Sequence, residues 1–333
     1  MPSPTDTSNL PSPAFLEAFR AEADDVSRMP FDQFMALALY HPTLGYYRSD
    51  RKRVGYGRDT DFYTASTTGP LFGELVHAAC RSLLDGETLA DYTFVELGAE
   101  PNGSILNGVQ HGYGATRTIR IGEPITLSGK CVVFSNELFD AQPFRRFKFV
   151  HGTWCELGVQ LRDGALHETP IPLGATTLPA ALPTDAAEGY HLDLPIAAVT
   201  LAEQIAAQPW TGLFIAFDYG KTWRELIEAT PAGTARAYHR HTQSNDLLAR
   251  PGEQDLTCHI CWDWLAESLR NHRFAYPQVE SQEAFLIRRA ADFLASTVAA
   301  EAAHLSQRKL GLLQLLHHLG QKFQVLWALR KNI

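Results

Sequence analysis

The chain is short of positive charge. Its 333 residues hold 29 Lys and Arg against 37 Asp and Glu, a net charge of −8 with a pI near 5.9. That balance gives no electrostatic basis for broad nucleic-acid binding or for a strongly basic membrane-facing surface. Cysteine is scarce as well. Five thiols, odd in number and widely spaced, do not make a secreted disulfide framework, so reduced thiols in the cytoplasm are expected. No apolar run is long enough to span a bilayer. Residues 1–13 are rich in Pro, Ser and Thr. They lack the apolar core of a secretory signal and the Arg-rich amphipathic character of a transit peptide, and read as a flexible tail. Internal repeats are missing, and no low-complexity block lies beyond that tail.

Hydrophobic residues make up 45% of the chain, enough for a packed core. Three apolar stretches share one grammar. Phe94, Val95, Glu96 and Leu97 run into Gly98; Cys131, Val132, Val133 and Phe134 run into Ser135, Asn136 and Glu137; 213–217 run into Asp218, Tyr219 and Gly220. Each has the length and composition of a parallel strand buried on both faces, and each has acid at its carboxyl end. Ligands of open α/β sheets bind beyond those ends, so three acids there argue for one shared site. After Gly98 the spacing predicts a turn into a helix whose N-terminus favours polar or anionic groups. A glycine in a strand-to-helix turn also has a purely steric reading. If a helical turn follows Asn136, Glu137 and Asp140 share a face, where they can hold a cation or take a proton. The alternative is a capping and turn sequence.

Helices are expected over 15–23, from Phe31 through Leu39, and over 70–84 with Leu71, Phe72, Leu75, Val76, Ala79 and Leu83 as the buried stripe. Glu74 lies within the last of these. Five Lys and Arg stand among glycines at 48–58, either a solvated loop or a mobile lid over a polar or anionic ligand. Asp61, Thr64 and Ser66 follow it, in a stretch suited to capping the next helix. Residues 146–171 read as antiparallel strands with turns at His151-Gly152 and Asp163-Gly164. Then come a Pro-, Ala- and Thr-rich loop over 174–189 and helices over 192–207, 285–302 and 310–319, with a closing strand over 323–329. Cys258 and Cys261 lack the second Cys/His pair of a structural zinc site, so no metal is expected.

Several landmarks run in one order along most of the chain. They are His41-Pro42 to Gly45-Tyr46-Tyr47, the run 61–66, Phe72-Gly73-Glu74, Val95 to Gly98, the run 136–143, Asp218-Tyr219-Gly220, Asp255-Leu256-Thr257 and Phe323 to Leu326. Together they resemble the MidA family of S-adenosylmethionine (SAM)-dependent methyltransferases, which includes a mitochondrial methyltransferase that assists assembly of respiratory complex I. The resemblance implies an α/β class I methyltransferase-like, Rossmann-like fold: a mostly parallel sheet with a reversed C-terminal strand, N-terminal helices and an antiparallel β insertion. The expected layout is a helical region with a loop at 14–90 and an α/β core at 91–333, with the insertion at about 144–207.

By the same resemblance, Glu96, Gly98, Ala99, Gly103 and Asn136 line the cofactor. Glu137 and Asp140 are the catalytic carboxylates. Asp61, Thr64, Ser66 and Asp218 belong to the substrate side or a lid. The substrate implied is a protein side chain, with an arginine of a respiratory-chain subunit as one candidate. Two departures stand out. The family's glycine loop, Gly-Pro-Gly-Arg-Gly, is replaced by Gly98-Ala99-Glu100-Pro101-Asn102-Gly103. The short segment 103–130 offers no clear match for the acid that holds the cofactor ribose, Glu123 being a poor substitute. Two readings therefore stand side by side: a SAM-dependent protein methyltransferase, and a catalytically impaired homologue that acts as a protein-binding assembly factor.

Overall fold

The computed structural model describes residues 10–48, 69–101, 103–171, 182–302 and 306–331. The basic stretch at 49–58 and Asp61, Thr64 and Ser66 lie outside the described residues.

The chain opens with α1 (Pro13–Glu22), β1 (Arg28–Pro30) and α2 (Phe31–Tyr40). Ser12 starts α1 by accepting the Phe15 N–H at 3.2 Å, and Pro13 occupies the first turn, where no amide partner is needed. α3 (Pro70–Leu83) also has a proline in its first turn, but its cap position is Gly69, at φ +68° and without a side-chain cap. Then come β2 (Thr93–Leu97), β3 (Ala115–Ile119) and β4 (Gly129–Asn136). Between β4 and the next core strand lie β5 (Arg145–Val150), β6 (Thr153–Arg162), β7 (Ala165–Pro170), β8 (His191–Leu194) and α4 (Ile196–Ala206). β9 (Trp210–Asp218) returns to the core, followed by β10 (Gly220–Lys221) and α5 (Trp223–Glu228), which carries a Thr222/Glu225 capping box. Next are β11 (Arg236–His239), β12 (Thr242–Ser244), β13 (Asp255–Thr257) and β14 (Ile260–Cys261). α6 (Trp262–Asn271), β15 (Ala275–Ser281), α7 (Gln282–Arg289), α8 (Ala291–Ala300), α9 (Gln307–Leu313) and β16 (Gln324–Arg330) complete the chain.

The central sheet runs β15-β16-β9-β4-β2-β3. β3, β2, β4 and β9 are parallel, and β16 lies antiparallel between β9 and β15. Its faces alternate as the pleat requires. Phe94, Val132, Phe134, Ile215 and Phe217 point to the layer that holds α3 and α7. Val95, Leu97, Val133, Phe214 and Ala216 point to α4 and α6. A second sheet, antiparallel throughout, is ordered β1-β6-β5-β8 with β7 against β6. Its hairpins turn at His151-Gly152 and Asp163-Gly164, all four residues at positive φ, the form that matches strand twist. One core joins α1 and α2 to Phe144 and Val159 of this region and to Ala237 and Leu256 of β11 and β13.

Four expectations change. Among the described residues no helix stands between Gly98 and β3; residues 105–108 form a turn instead. Gly73 of α3 abuts the Ile105 carbonyl so closely that a Cβ would overlap it, so α3 already fills the space such a helix would need. Residues 192–194 belong to β8, and the helix begins only after Pro195, which cannot donate to it. The helix expected over 285–302 breaks at Ala290 into α7 and α8. The one expected over 310–319 starts earlier, at Gln307, and its last part widens to a π-turn at Gln314–His318.

Candidate functional site

Glu96 is the penultimate residue of β2 and is 6% exposed. Its carboxylate accepts the Ser104 hydroxyl at 2.6 Å and the Ile105 N–H at 3.0 Å. Burial raises its pKa, while those two donors and the charge of Arg120 oppose the rise. Glu96 thus shapes the return of the chain after the turn. Gly98 has φ +72°, and a Cβ there would meet Leu138 Cδ1 at 2.9 Å. Its N–H donates to the Ile119 carbonyl at 2.8 Å, and the Gly103 N–H to that of Glu100 at 3.1 Å. The buried Ala99 lies between them.

The end of β4 is richer in polar atoms. Glu137 has φ 52°, so no helical turn forms there and the expected shared helix face for Glu137 and Asp140 does not exist. Asp218, at the end of β9, gathers them instead. Its carboxylate accepts the N–H groups of Phe139 and Tyr219, both at 2.8 Å, and fixes the bend in 137–140. The Glu137 N–H donates to the Phe217 carbonyl at 2.9 Å, and Asn136 Nδ2 donates to the Glu137 carboxylate at 2.9 Å. Among the described residues, Ser135 Oγ, Asn136 Oδ1 and Asp140 Oδ1 are buried without a hydrogen-bond partner. An unpaired buried acceptor is costly unless something else pairs with it.

The acids charge one another's surroundings. Burial pushes Glu137 up to about 8; the Asn136 donor lowers it and the Asp218 charge raises it. Glu137 as a whole residue is half-buried, although its carboxyl is desolvated. Asp218 rises to about 7 through burial, against its backbone donors. Asp140 is lifted well above the usual range by burial and then by Asp218, Glu137 and Asp255. Tyr219 is pushed up by burial and by Glu137 and Asp140.

Sequence reasoning placed Glu137, Asp140 and Asp218 in this cluster but missed Asp255 and Tyr47 as site residues. The Tyr47 hydroxyl donates to Asp255 Oδ1 at 3.0 Å, and the Tyr40 hydroxyl donates to the Ala141 carbonyl at 2.8 Å. Both had appeared among the ordered landmarks, which was the available signal.

Arg120 follows β3. Its Nε donates to the Pro101 carbonyl at 3.0 Å, and its backbone N–H donates to the Glu123 carboxylate at 2.7 Å. Glu123 is thereby engaged with the backbone of its own turn. Elsewhere, Glu74 pairs with Arg308 at 2.6 Å. Cys258 and Cys261 enter different hydrophobic clusters, and Cys261 precedes α6. Among the described residues no group of three or more His, Cys, Asp or Glu is placed to hold a metal ion, and no helix is long and apolar enough to cross a membrane.

A mostly parallel sheet flanked by helices, with one reversed strand and acids gathered beyond its strand ends, is the architecture of an α/β protein of the methyltransferase-like class. Residues 107–278 match the model of the family described as "Putative S-adenosyl-L-methionine-dependent methyltransferase", and the chain belongs to that family. A Burkholderia thailandensis protein crystallised with S-adenosyl-homocysteine superposes with a TM-score of 0.84 at 26% identity, over 95% of this chain and 92% of that one. A native crystal structure of a protein from the same organism gives 0.78 at 24%, over 95% and 91%. The Drosophila melanogaster "Protein arginine methyltransferase NDUFAF7 homolog, mitochondrial" is 25% identical over 303 residues, 72% of this chain. The match spans 66% of that relative's length. The MidA-type resemblance is borne out, and SAM is the cofactor of the family.

Proposed function

We propose that this chain transfers a methyl group from SAM to the guanidinium of a protein arginine. The observation that carries the reading is the buried acid cluster of Glu137, Asp140 and Asp218, with the Asp140 Oδ1 acceptor unpartnered among the described residues. Acids buried beside one another raise each other's pKa, and a planar cation relieves that repulsion by pairing with their ionised carboxylates. The name of the Drosophila relative, a protein arginine methyltransferase homolog, agrees with this. The reversed β16 between β9 and β15 supports the class I form of the fold.

The same end of the sheet suits the reactive half of SAM. Ser135 Oγ and Asn136 Oδ1 are unpartnered acceptors there, as a ligand bearing a sulfonium and an ammonium requires. Gly98 leaves the turn without a side chain, and Glu96 holds its far side closed through Ser104 and Ile105. Ala99 and Gly103 complete that wall. When bound, SAM supplies an electrophilic methyl group. Everything else is done by the chain. Asn136 orients Glu137 through its 2.9 Å hydrogen bond. Entry of a guanidinium releases to solvent the proton that burial keeps on Glu137, leaving a carboxylate beside the cation. Once the nitrogen has been methylated, Glu137 takes the proton that the product must lose, a task suited to a carboxyl titrating near 8. Asp140 holds the other guanidinium edge. Asp218 acts through the bend it fixes, as a positioning residue. Alignment rather than a nucleophilic triad is what such a transfer needs.

The test is incubation with methyl-labelled SAM and a mixture of acceptor proteins, followed by acid hydrolysis and amino-acid analysis. Label should appear as methylarginine and fall at least a hundredfold with Glu137→Gln, a typical general-base loss. Label on another residue type, or an unchanged yield with Glu137→Gln, would overturn the assignment.

A further inference from the structure

We propose that Arg120 makes the nucleoside end of this site a binding place for adenosine carrying a phosphate on its ribose, so that such nucleotides compete with SAM. The inference rests on the reading that the turn after β2 holds the cofactor.

In parallel sheets that bind dinucleotides, the acid some twenty residues beyond the glycine turn accepts hydrogen bonds from the bare ribose diol. Where a ribose phosphate must be held, an arginine serves instead. In this chain Ile119 ends β3, and the next residue is Arg120. Two contacts keep it by the turn. Ile119, its neighbour in the chain, receives the Gly98 N–H at 2.8 Å, and Arg120 Nε donates to Pro101 at 3.0 Å. The guanidinium is close enough to Glu96 to lower that carboxyl's pKa, so it faces the same turn. Its two terminal nitrogens have no hydrogen-bond partner or ion pair among the described residues. The nearby acid Glu123, rather than facing a diol, receives the Arg120 backbone N–H at 2.7 Å.

The polarity of recognition is therefore inverted. A carboxylate would accept from two hydroxyls and repel a phosphate. The Arg120 fork can only donate, and it matches a phosphate in both charge and plane. A bare ribose is held through its hydroxyl oxygens alone. A 2′- or 3′-phosphate gains a charge-assisted pair.

The experiment is calorimetric titration of the full chain with S-adenosyl-homocysteine, adenosine, adenosine 2′-monophosphate and adenosine 3′-monophosphate. One of the two monophosphates should bind at least tenfold tighter than adenosine, the scale of one charged hydrogen-bond pair, and should displace S-adenosyl-homocysteine. Arg120→Gln should erase the difference, Arg120→Lys should restore part of it, and Arg120→Glu should reverse it. Circular dichroism confirms that each variant is folded, and a purely structural loss of the Pro101 contact would not reverse a preference. Equal affinity for adenosine and both monophosphates, or a preference that survives Arg120→Gln, overturns the inference while S-adenosyl-homocysteine binding leaves the cofactor reading standing. A folded chain that binds no adenosine ligand overturns both.

Discussion

Replacing Glu137 by glutamine should make the protein more stable at alkaline pH. Burial lifts this carboxyl from 4.5 to about 8. Between those values the folded chain keeps a proton that the unfolded chain has released. Folding then takes up protons, and stability falls as pH rises from about 4.5 to about 8, flattening above. A lift of that size is worth at most about 5 kcal/mol. The residue is half-buried rather than buried, and solvent screening reduces the figure to about 2–3 kcal/mol. Asp218, raised to about 7, adds a loss in the same direction. Glu137→Gln mimics the protonated acid and keeps an acceptor for Asn136 Nδ2. Urea denaturation should find the variant close to the parent at pH 5 and ahead of it at pH 8.5, by roughly 1 M in midpoint. If the variant loses as much stability as the parent over that range, Glu137 is not the group that holds the proton.

Three further outcomes are expected. Gly98→Ala places a side chain at φ +72° against Leu138 and should cost about 1 kcal/mol, while S-adenosyl-homocysteine affinity, read by calorimetry, drops about tenfold. Arg146→Met strips a 2.8 Å partner from Asp193, whose side chain is fully buried, and should lower unfolding free energy by about 3–5 kcal/mol in a denaturant titration. Ser104→Ala removes the 2.6 Å donor to Glu96, should cost about 1–2 kcal/mol, and should raise the pKa of that carboxyl further, as carbon-detected NMR of labelled Glu would show.

The central strands were legible because a doubly buried parallel strand is an apolar run with a polar end, and 94–97, 131–134 and 213–217 have little other use. The hairpins at His151-Gly152 and Asp163-Gly164 were legible because their residues tolerate positive φ. The missing helix after Gly98 was not. Its expectation came from the usual strand-to-helix grammar, and what forbids it is Gly73, a residue earlier in the chain whose bare backbone lets α3 press on Ile105. Pro195 marked the β8-to-α4 break, but four strand residues before it were too few to outweigh a helical pattern. At the site, the acids on strand ends could be read from local sequence. The approach of Tyr47 to Asp255 could not, because it joins segments that only the tertiary fold brings together.

The pairing of β1 with β6 has a consequence for synthesis. Arg28 lies opposite Gln160, and Tyr47 reaches Asp255. Translation at roughly 5–20 residues per second delivers these partners on the order of ten seconds apart. During that interval Phe15, Phe19, Phe34 and Met35 lack the partners from β6, β11 and β13 that share their core in the finished protein. The strand that anchors the N-terminal helices is thus also a clock: until β6 emerges, the nascent chain is in the state most open to chaperone capture or to misassembly with a neighbour on the same message.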